Sequence, residues 1–484
     1  MRPRSPGPVL GVLLLAAVFA ALQLANITGR DTPDTKNYLS YALSLTGESK
    51  RGAATATIDY VCASRAERAR RDQSVHVVHF HRPDPTDEVL AECREREWAV
   101  VEPRLAAGHT DGQTGGHSGG HTGGQTVGQT GGHTVPFMPE RFMRIFEARP
   151  GYPAFLVPFV LAFGVTWGLW AAGVVIACAG GVLAFLILRT LSVPVPLALA
   201  GQALYYVLPC GTTAMRPMTE GLLMALTLAA VWGCALVLRA GRTRAGLALV
   251  AGSLLALFTV KHSQALFLGL CLAAAGALIA LRRRRRQRQR RLRRGEPSSA
   301  RGVLALAAVG LAGVAVTLLL ARLLHYPSSS DSLQDLLTDH FARPDRERPW
   351  AEFWQLQGNF WVEWLRRQAW HPLFVAALGA GARGALRRGG AVGGFLVAAA
   401  FTGILTQAGH PDINIWGERL IVLAWLLPVI GVPLLLEPVV RGAVRGAWAP
   451  LPVQGQTDRG GGIASADPTR PGPTGPGRSA DAIG

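Results

Sequence analysis

Pro153–Leu191 reads PAFLVPFVLAFGVTWGLWAAGVVIACAGGVLAFLILRTL, an apolar run whose only charge is Arg189. An α-helix rises about 1.5 Å per residue, and about 20 apolar residues cross the hydrocarbon core of a bilayer. The run is too long for one crossing. It divides at Gly164–Trp167 into a short helix and a full span.

Outward from this stretch the pattern repeats. Apolar runs long enough to cross a bilayer are read at about 8–27, 167–190, 194–211, 219–238, 246–260, 265–281, 302–322, 372–386, 391–408 and 419–437. Apolar residues make up 49 % of the chain and charged residues 17 %, with a mean hydropathy of +0.24. That composition excludes a soluble globular domain and a disordered chain. The expected fold is an all-α polytopic membrane protein with about ten transmembrane helices.

Charge gives an independent test of the count. The net charge is +18, and Arg282–Arg294 alone holds ten arginines in thirteen positions. A nucleic-acid partner is not expected, because this block lies between two apolar runs and reads as a cytoplasmic loop obeying the positive-inside rule. Arg2, Arg4, Arg189, Arg239–Arg244, Arg383–Arg388, Arg441 and Arg445 all fall on the same side of a ten-span layout. Both termini are therefore expected in the cytoplasm of a cell-membrane protein. The first run follows Arg2 and Arg4 as a signal peptide would, but no small-x-small site closes it, so an uncleaved anchor is expected.

The organisation that follows is a multi-span membrane domain over 1–437 and a disordered cytoplasmic tail over 438–484, rich in Gly and Pro. Two regions lie outside: 28–152, carrying a low-complexity insert at 108–134, and 323–371, with amphipathic helices. The basic cytoplasmic loop is 282–301. In the insert, His109, His117, His121 and His133 offer weak metal ligands, but ordering a Gly-rich chain is costly, and an inert insert is the expectation. Cys62 and Cys93 share the outer loop, where a disulfide is permitted. The other four cysteines lie in or beside spans.

Polar residues beside the spans collect on the outer side. After the first span comes Asp31-Thr32-Pro33-Asp34-Thr35-Lys36-Asn37-Tyr38, then Ala42; Asp34, Tyr38 and Ala42 share one helix face. Asp34 either favours the helix N-terminus electrostatically or carries chemistry. Arg149-Pro150-Gly151-Tyr152-Pro153 precedes the short helix, and Arg216-Pro217-Met218-Thr219-Glu220 opens the fourth span. Lys261-His262-Ser263-Gln264 turns between the fifth and sixth spans, and His410-Pro411-Asp412 and Glu418-Arg419 lead into the last. In the second outer region, Leu333, Leu336, Leu337 and Phe341 form one helical stripe. Trp350, Phe353, Trp354, Phe360, Trp361 and Trp364 follow, either anchoring at the headgroup level or stacking on sugar rings.

The order of these motifs resembles the GT-C superfamily of integral-membrane glycosyltransferases. The likeness is greatest to the polyprenyl-phosphate-sugar-dependent, protein-mannosyltransferase-like and aminoarabinose-transferase-like members. The outer-loop pattern Asp-Glu-x-x-Tyr-x-x-x-Ala stands here as Asp34-Thr35-Lys36-Asn37-Tyr38-Leu39-Ser40-Tyr41-Ala42; Arg149–Pro153, Thr219-Glu220-Gly221 and Glu418-Arg419 match the later motifs. The resemblance implies a transferase of the cell envelope. It would move a hexosyl or pentosyl group, with inversion, from a polyprenyl-phosphate donor to an acceptor at the outer face.

Asp34 would be the general base. Tyr38, Arg149, Tyr152, Arg216, Glu220, Lys261, His262 and Arg419 would bind substrate, the cations meeting the lipid phosphate. With Thr35 in place of the second acidic residue, no metal is assigned; a divalent ion shared by Asp31 and Asp34 is the alternative. Membrane lipids and a lipid-linked sugar donor are the expected partners. A transporter and a non-catalytic protein on the same scaffold stay open as other classes.

Overall fold

The computed structural model describes residues 7–110, 133–290, 300–415, 417 and 419–447. Among them every regular element is helical. Most of the low-complexity insert, most of the basic block beyond Arg285, Glu418 and most of the tail lie outside the described residues or side chains. So do His109, His117 and His121 as metal ligands; His133 stacks on Tyr41 with ring centroids 5.6 Å apart.

The chain enters through α1 (Gly7–Gln23), extended by a 3-10 turn to Asn26. Val9, Leu10, Leu13, Leu14 and Leu22 on α1 are exposed, as expected of side chains facing lipid. An outer layer follows: α2 (Thr35–Leu45), α3 (Lys50–Ser74), α4 (Thr86–Thr110) and α5 (Glu140–Glu147). A Cys62–Cys93 disulfide ties α3 to α4, and Glu97 of α4 pairs with Lys36 at 3.3 Å and Arg65 at 3.0 Å.

Next, α6 (Gly151–Thr190) is one run of sequence but two helices in space. Gly164 has φ 71° and ψ 178°, a backbone conformation open only to glycine. A Cβ on Gly168 would strike the backbone of Phe159 and Val160. Nine residues of straight helix span about 13 Å, so the chain folds back on itself at Gly164.

After α7 (Val195–Val207), the chain breaks at Leu208, whose ψ of 168° is extended, and α8 (Pro209–Ala214) starts afresh. Proline forces its predecessor out of the helical region. The expected continuous span at 194–211 is therefore a 13-residue helix and a short turn of helix. The next helix, α9 (Thr219–Leu238), is buried along most of its length, between α6 and α10 (Thr243–Arg290).

The helix α10 doubles back too. Leu254 packs at Gly313 and Gly269 at Val314, adjacent positions on α11 (Ala300–Leu323), although 15 residues of straight helix would part them by about 22 Å. The reversal lies at Lys261, whose φ of −162° and ψ of 97° are extended. The two arms are the separate runs 246–260 and 265–281 read from sequence, and Lys261 stands at the crest between them.

After α11 comes α12 (Ser329–Leu337), opened by a Ser328–Asp331 capping box. It ends sooner than the apolar stripe suggests. Asp339, His340 and Phe341 have φ of 56°, 58° and 61°, a left-handed turn that takes Phe341 off the stripe. Such a conformation is costly for residues with a Cβ and persists only where its surroundings hold it. Here Phe341 N–H donates to Thr338 Oγ1 (3.1 Å), His340 N–H to the Asp335 carbonyl (3.0 Å), and Phe341 lies under Arg141. Arg141 itself holds Asp345 with two 2.9 Å contacts and Asp331 with a third, joining α5 to α12 and the segment after it.

Along α13 (Pro349–Trp370) there are three faces. Gln357, Phe360, Trp364 and Gln368 are buried; Trp350, Trp354, Val362 and Leu365 form an exposed apolar stripe; Asn359 and Glu363 line a cleft. The chain closes with α14 (Leu373–Arg388), α15 (Ala391–Gly409), a 3-10 segment Leu420–Trp425 and α16 (Leu426–Ala447). Gly381 of α14 meets Gly431 of α16 backbone to backbone, the close approach that small residues allow between apolar helices. Among the described residues, seven helices, α6 and α10 counted once each, are long and apolar enough to cross a membrane; α7 and α14 are shorter.

Candidate functional site

Asp34 sits at the N-cap of α2, one residue before the helix begins. Its carboxylate makes no capping bond to the helix; it pairs with the Arg419 guanidinium, 385 positions away in sequence. Arg419 introduces the 3-10 segment that leads into α16. Its Nε also lies 3.4 Å from Glu220 Oε1, in the first turn of α9. Glu220 is only 4 % exposed, and Thr219 donates to its second oxygen at 3.2 Å. One guanidinium therefore joins carboxylates from two remote elements.

Tyr38, one turn beyond Asp34 and fully buried, is held between Phe146 (5.1 Å) and Tyr152 (5.3 Å) and accepts from Arg149 Nη1 at 3.4 Å. Burial pushes its hydroxyl above the ordinary phenol range, so it stays protonated. Gly151 packs its backbone against Thr259, which brings the start of α6 to the α10 crest. There half-buried Lys261 lies within electrostatic reach of Glu220, Arg149, Arg419 and Asp34. His262 packs on Tyr326 with centroids 5.5 Å apart, within reach of Arg149 and Lys261.

Eight of the nine candidate substrate and catalytic residues thus converge: Asp34, Tyr38, Arg149, Tyr152, Glu220, Lys261, His262 and Arg419. Arg216 is placed beside them through its backbone. Its carbonyl accepts from Met218 N–H at 2.7 Å, and the next carbonyl, Pro217, accepts from the Thr35 hydroxyl at 3.2 Å. Thr35 therefore pins the first outer loop to the entrance of α9. Asp31 points elsewhere, to Arg68 and Arg65 of α3. Among the described residues, no three His, Cys, Asp or Glu side chains assemble as a ligand set.

The charges in the cluster do not balance. Arg149, Lys261 and Arg419 face Asp34 and Glu220, three cations to two carboxylates. Arg149 Nε is a buried donor without a partner, and His262 Nδ1 is buried and unpaired. An unpaired buried donor and surplus positive charge are unfavourable, and an anion entering the cluster would relieve both.

Beside the cluster lies a cleft of about 480 Å³, lined by Asp335, Asp339, His340, Asn359, Glu363, His410 and Asp412 among others. His340 binds Asp335 at 3.0 Å, which raises its imidazole above the usual range, and feels Asp34. Burial holds His410 below that range; it feels Lys261 and Arg419 on one side and Asp335 and Asp412 on the other. The cleft therefore lies within electrostatic reach of the cluster. The sequence marked His410 and Asp412 but not Asp335 or His340, because their stretch read as an unbroken amphipathic helix.

The chain matches no protein-family model, no curated protein and no solved structure.

Proposed function

We propose that the chain is a GT-C-type membrane glycosyltransferase that moves a sugar from a polyprenyl-phosphate donor to an acceptor hydroxyl. The observation that carries this reading is the cation surplus of Arg149, Lys261 and Arg419 gathered around Asp34. A lipid phosphate bearing a sugar supplies the missing negative charge. Arg149 Nε, the Lys261 ammonium and neutral Tyr38 are the donors at hand for its oxygens.

Asp34 pairs with Arg419 and makes no helix-capping bond. As the acceptor oxygen attacks the anomeric carbon, its proton passes to Asp34 Oδ. The bond from that carbon to the phosphate oxygen breaks, and its electron pair leaves with the lipid phosphate, whose growing charge the cations stabilise. A single displacement inverts the anomeric centre. The acceptor enters through the cleft, whose Asn359, His340 and Asp339 offer polar partners for a hydroxylated molecule.

The same reading places ten crossings, with the two arms of α10, α7–α8 and α14 each counted, both termini in the cytoplasm and the site at the outer face. In that frame the exposed apolar stripe of α13 rests in the headgroup layer.

The test is turnover of the full chain in nanodiscs supplied with hexosyl and pentosyl polyprenyl-phosphate donors. Asp34→Asn should lower transfer on the order of 10²–10⁴-fold with folded protein retained. Asp31→Asn, whose carboxylate serves α3, should transfer normally. Normal transfer by Asp34→Asn rejects the mechanism. Equal loss in both variants, with loss in wild type on chelation, would assign the carboxylates to a metal instead.

A further inference from the structure

The turn that joins α3 to α4 carries a run unused by the site above: Val75-His76-Val77-Val78-His79-Phe80-His81. Its apolar side chains point outward. Val75 is 80 % exposed, Val77 87 %, Val78 60 % and Phe80 63 %. Isolated exposed apolar residues need no explanation, but four within six positions of one ordered turn do.

The turn is ordered by several internal bonds. His79 N–H and Phe80 N–H donate to the His76 carbonyl at 3.0 and 2.9 Å, and Val78 N–H to His76 Nδ1 at 3.2 Å. Arg82 N–H donates to the His79 carbonyl at 3.0 Å, while Gln73 Nε2 reaches the carbonyls of Arg82 and Pro83 at 3.0 and 2.8 Å. His76 and His79 stack with centroids 4.2 Å apart. These bonds give the turn a fixed conformation.

Its position is set by contacts farther back along α3. Ser64 Oγ accepts from Gly29 N–H at 3.0 Å, and Arg71 Nη1 donates to Asn26 Oδ1 at 2.6 Å. Contacts thus move toward α1 as α3 proceeds, and Asn26 closes the first membrane-length helix. Val75 follows Arg71 by one helical turn, about 6 Å. The headgroup layer on each side of a bilayer is of similar depth, about 5–7 Å. Behind the apolar tip, Arg68 is held by Asp31, Arg70 by Glu67, and Arg71 by Glu67 and Asn26, so this base of the turn is polar and fixed.

We infer that the α3–α4 turn is a membrane-docking loop: Val75, Val77, Val78 and Phe80 seat in the headgroup layer beside the end of α1. The proposal is independent of any catalytic reading. It gives the disulfide-tied α3–α4 hairpin a second attachment to the bilayer.

The test uses the full chain with Cys178 and Cys271 replaced by Ala. A nitroxide is placed at Val77→Cys, or at Glu102→Cys at the far end of the hairpin beside Arg51. In nanodiscs containing phosphatidylglycerol, the Val77 label should show a severalfold higher ratio of oxygen to aqueous nickel-complex collisions than the Glu102 label. Adding Phe80→Asp with Val78→Asp should bring that ratio down to the Glu102 value while the Cys62–Cys93 disulfide and helix content persist. A Val77 label as water-exposed as the Glu102 label overturns the proposal. Equal protection in lipid-free amphipol, lost on dilution, also overturns it and assigns the tip to a second copy of the chain.

Discussion

Arg419 is the residue on which the site depends, and its two carboxylate partners change what its removal should do. Arg419→Ala leaves Asp34 and Glu220 without their cation, and Glu220 is buried; breaking such a pair costs about 3–5 kcal/mol. We expect much less folded protein in the membrane, measured by detergent-solubilised yield and thermal stability. Lys261 is half-buried and feels its carboxylates across the cluster rather than through a direct ion pair, so Lys261→Ala should fold normally. Under the proposed function it should weaken donor use, raising KM for the lipid-phosphate sugar roughly tenfold or more for one charge-assisted contact of about 1.5–3 kcal/mol. Lys261→Ala with an unchanged KM removes it from the phosphate site. Thr35, which replaces a second acidic residue in the resemblance, illustrates a different residue-level lesson. Its hydroxyl is taken by Pro217 and Thr32, so its role is positional.

Elements carry two further expectations. Gly164 reverses α6 with φ 71° and ψ 178°, so Gly164→Ala should destabilise the protein by about 1–3 kcal/mol, read as a lower thermal midpoint in detergent. Gly252→Ala on α10 serves as the control: no atom lies within 4 Å of a Cβ there, and the change should be neutral to stabilising. The second expectation concerns the left-handed turn after α12. Asp335 raises the His340 imidazole above its ordinary 6.5, so protonated His340 stabilises the folded turn. That contribution is complete below the unfolded value and is lost as pH rises through the higher folded one. Amide exchange of residues 329–345, corrected for the intrinsic pH dependence of exchange, should therefore quicken on passing from acid to alkaline pH, and His340→Gln should flatten the dependence. A wild-type profile as flat as the variant's would remove the pair from the turn's stability.

The whole molecule is tested by sidedness. Cysteine tags at Arg283 and near Gly120 should label from opposite faces of the membrane, and a tag at Tyr326, which stacks on Phe258 below the α10 crest at 5.5 Å, should label with the Gly120 side. A tag at Tyr326 that labels with Arg283 would mean that α11 does not cross, and the ten-crossing layout would fall. Tying the outer layer together is the Cys62–Cys93 disulfide. Removing it should cost about 2–5 kcal/mol and open α3–α4 to protease before the membrane helices.

What the sequence determined by itself is what local composition can carry. Runs such as Pro153–Leu191 are long and apolar enough to require a membrane, and the breaks at Gly164 and Lys261 were legible because each interrupts an over-long run. Cys62 and Cys93 share one loop region, which permitted a pairing that the structure forms. Asp34, Glu220, Lys261 and Arg419 were legible as polar residues at span ends, since polarity there is costly and seldom idle. Tertiary structure alone decided the rest, because it depends on contacts between residues far apart in the chain. That one arginine joins Asp34 to Glu220 across 385 and 199 positions is set by how α2, α9 and α16 pack. The left-handed turn at Asp339–Phe341 is held by Arg141 from another region, so the helical period of α12 gave no warning of it. The cleft belongs to no single segment, and periodicity along one helix cannot describe a space enclosed by three.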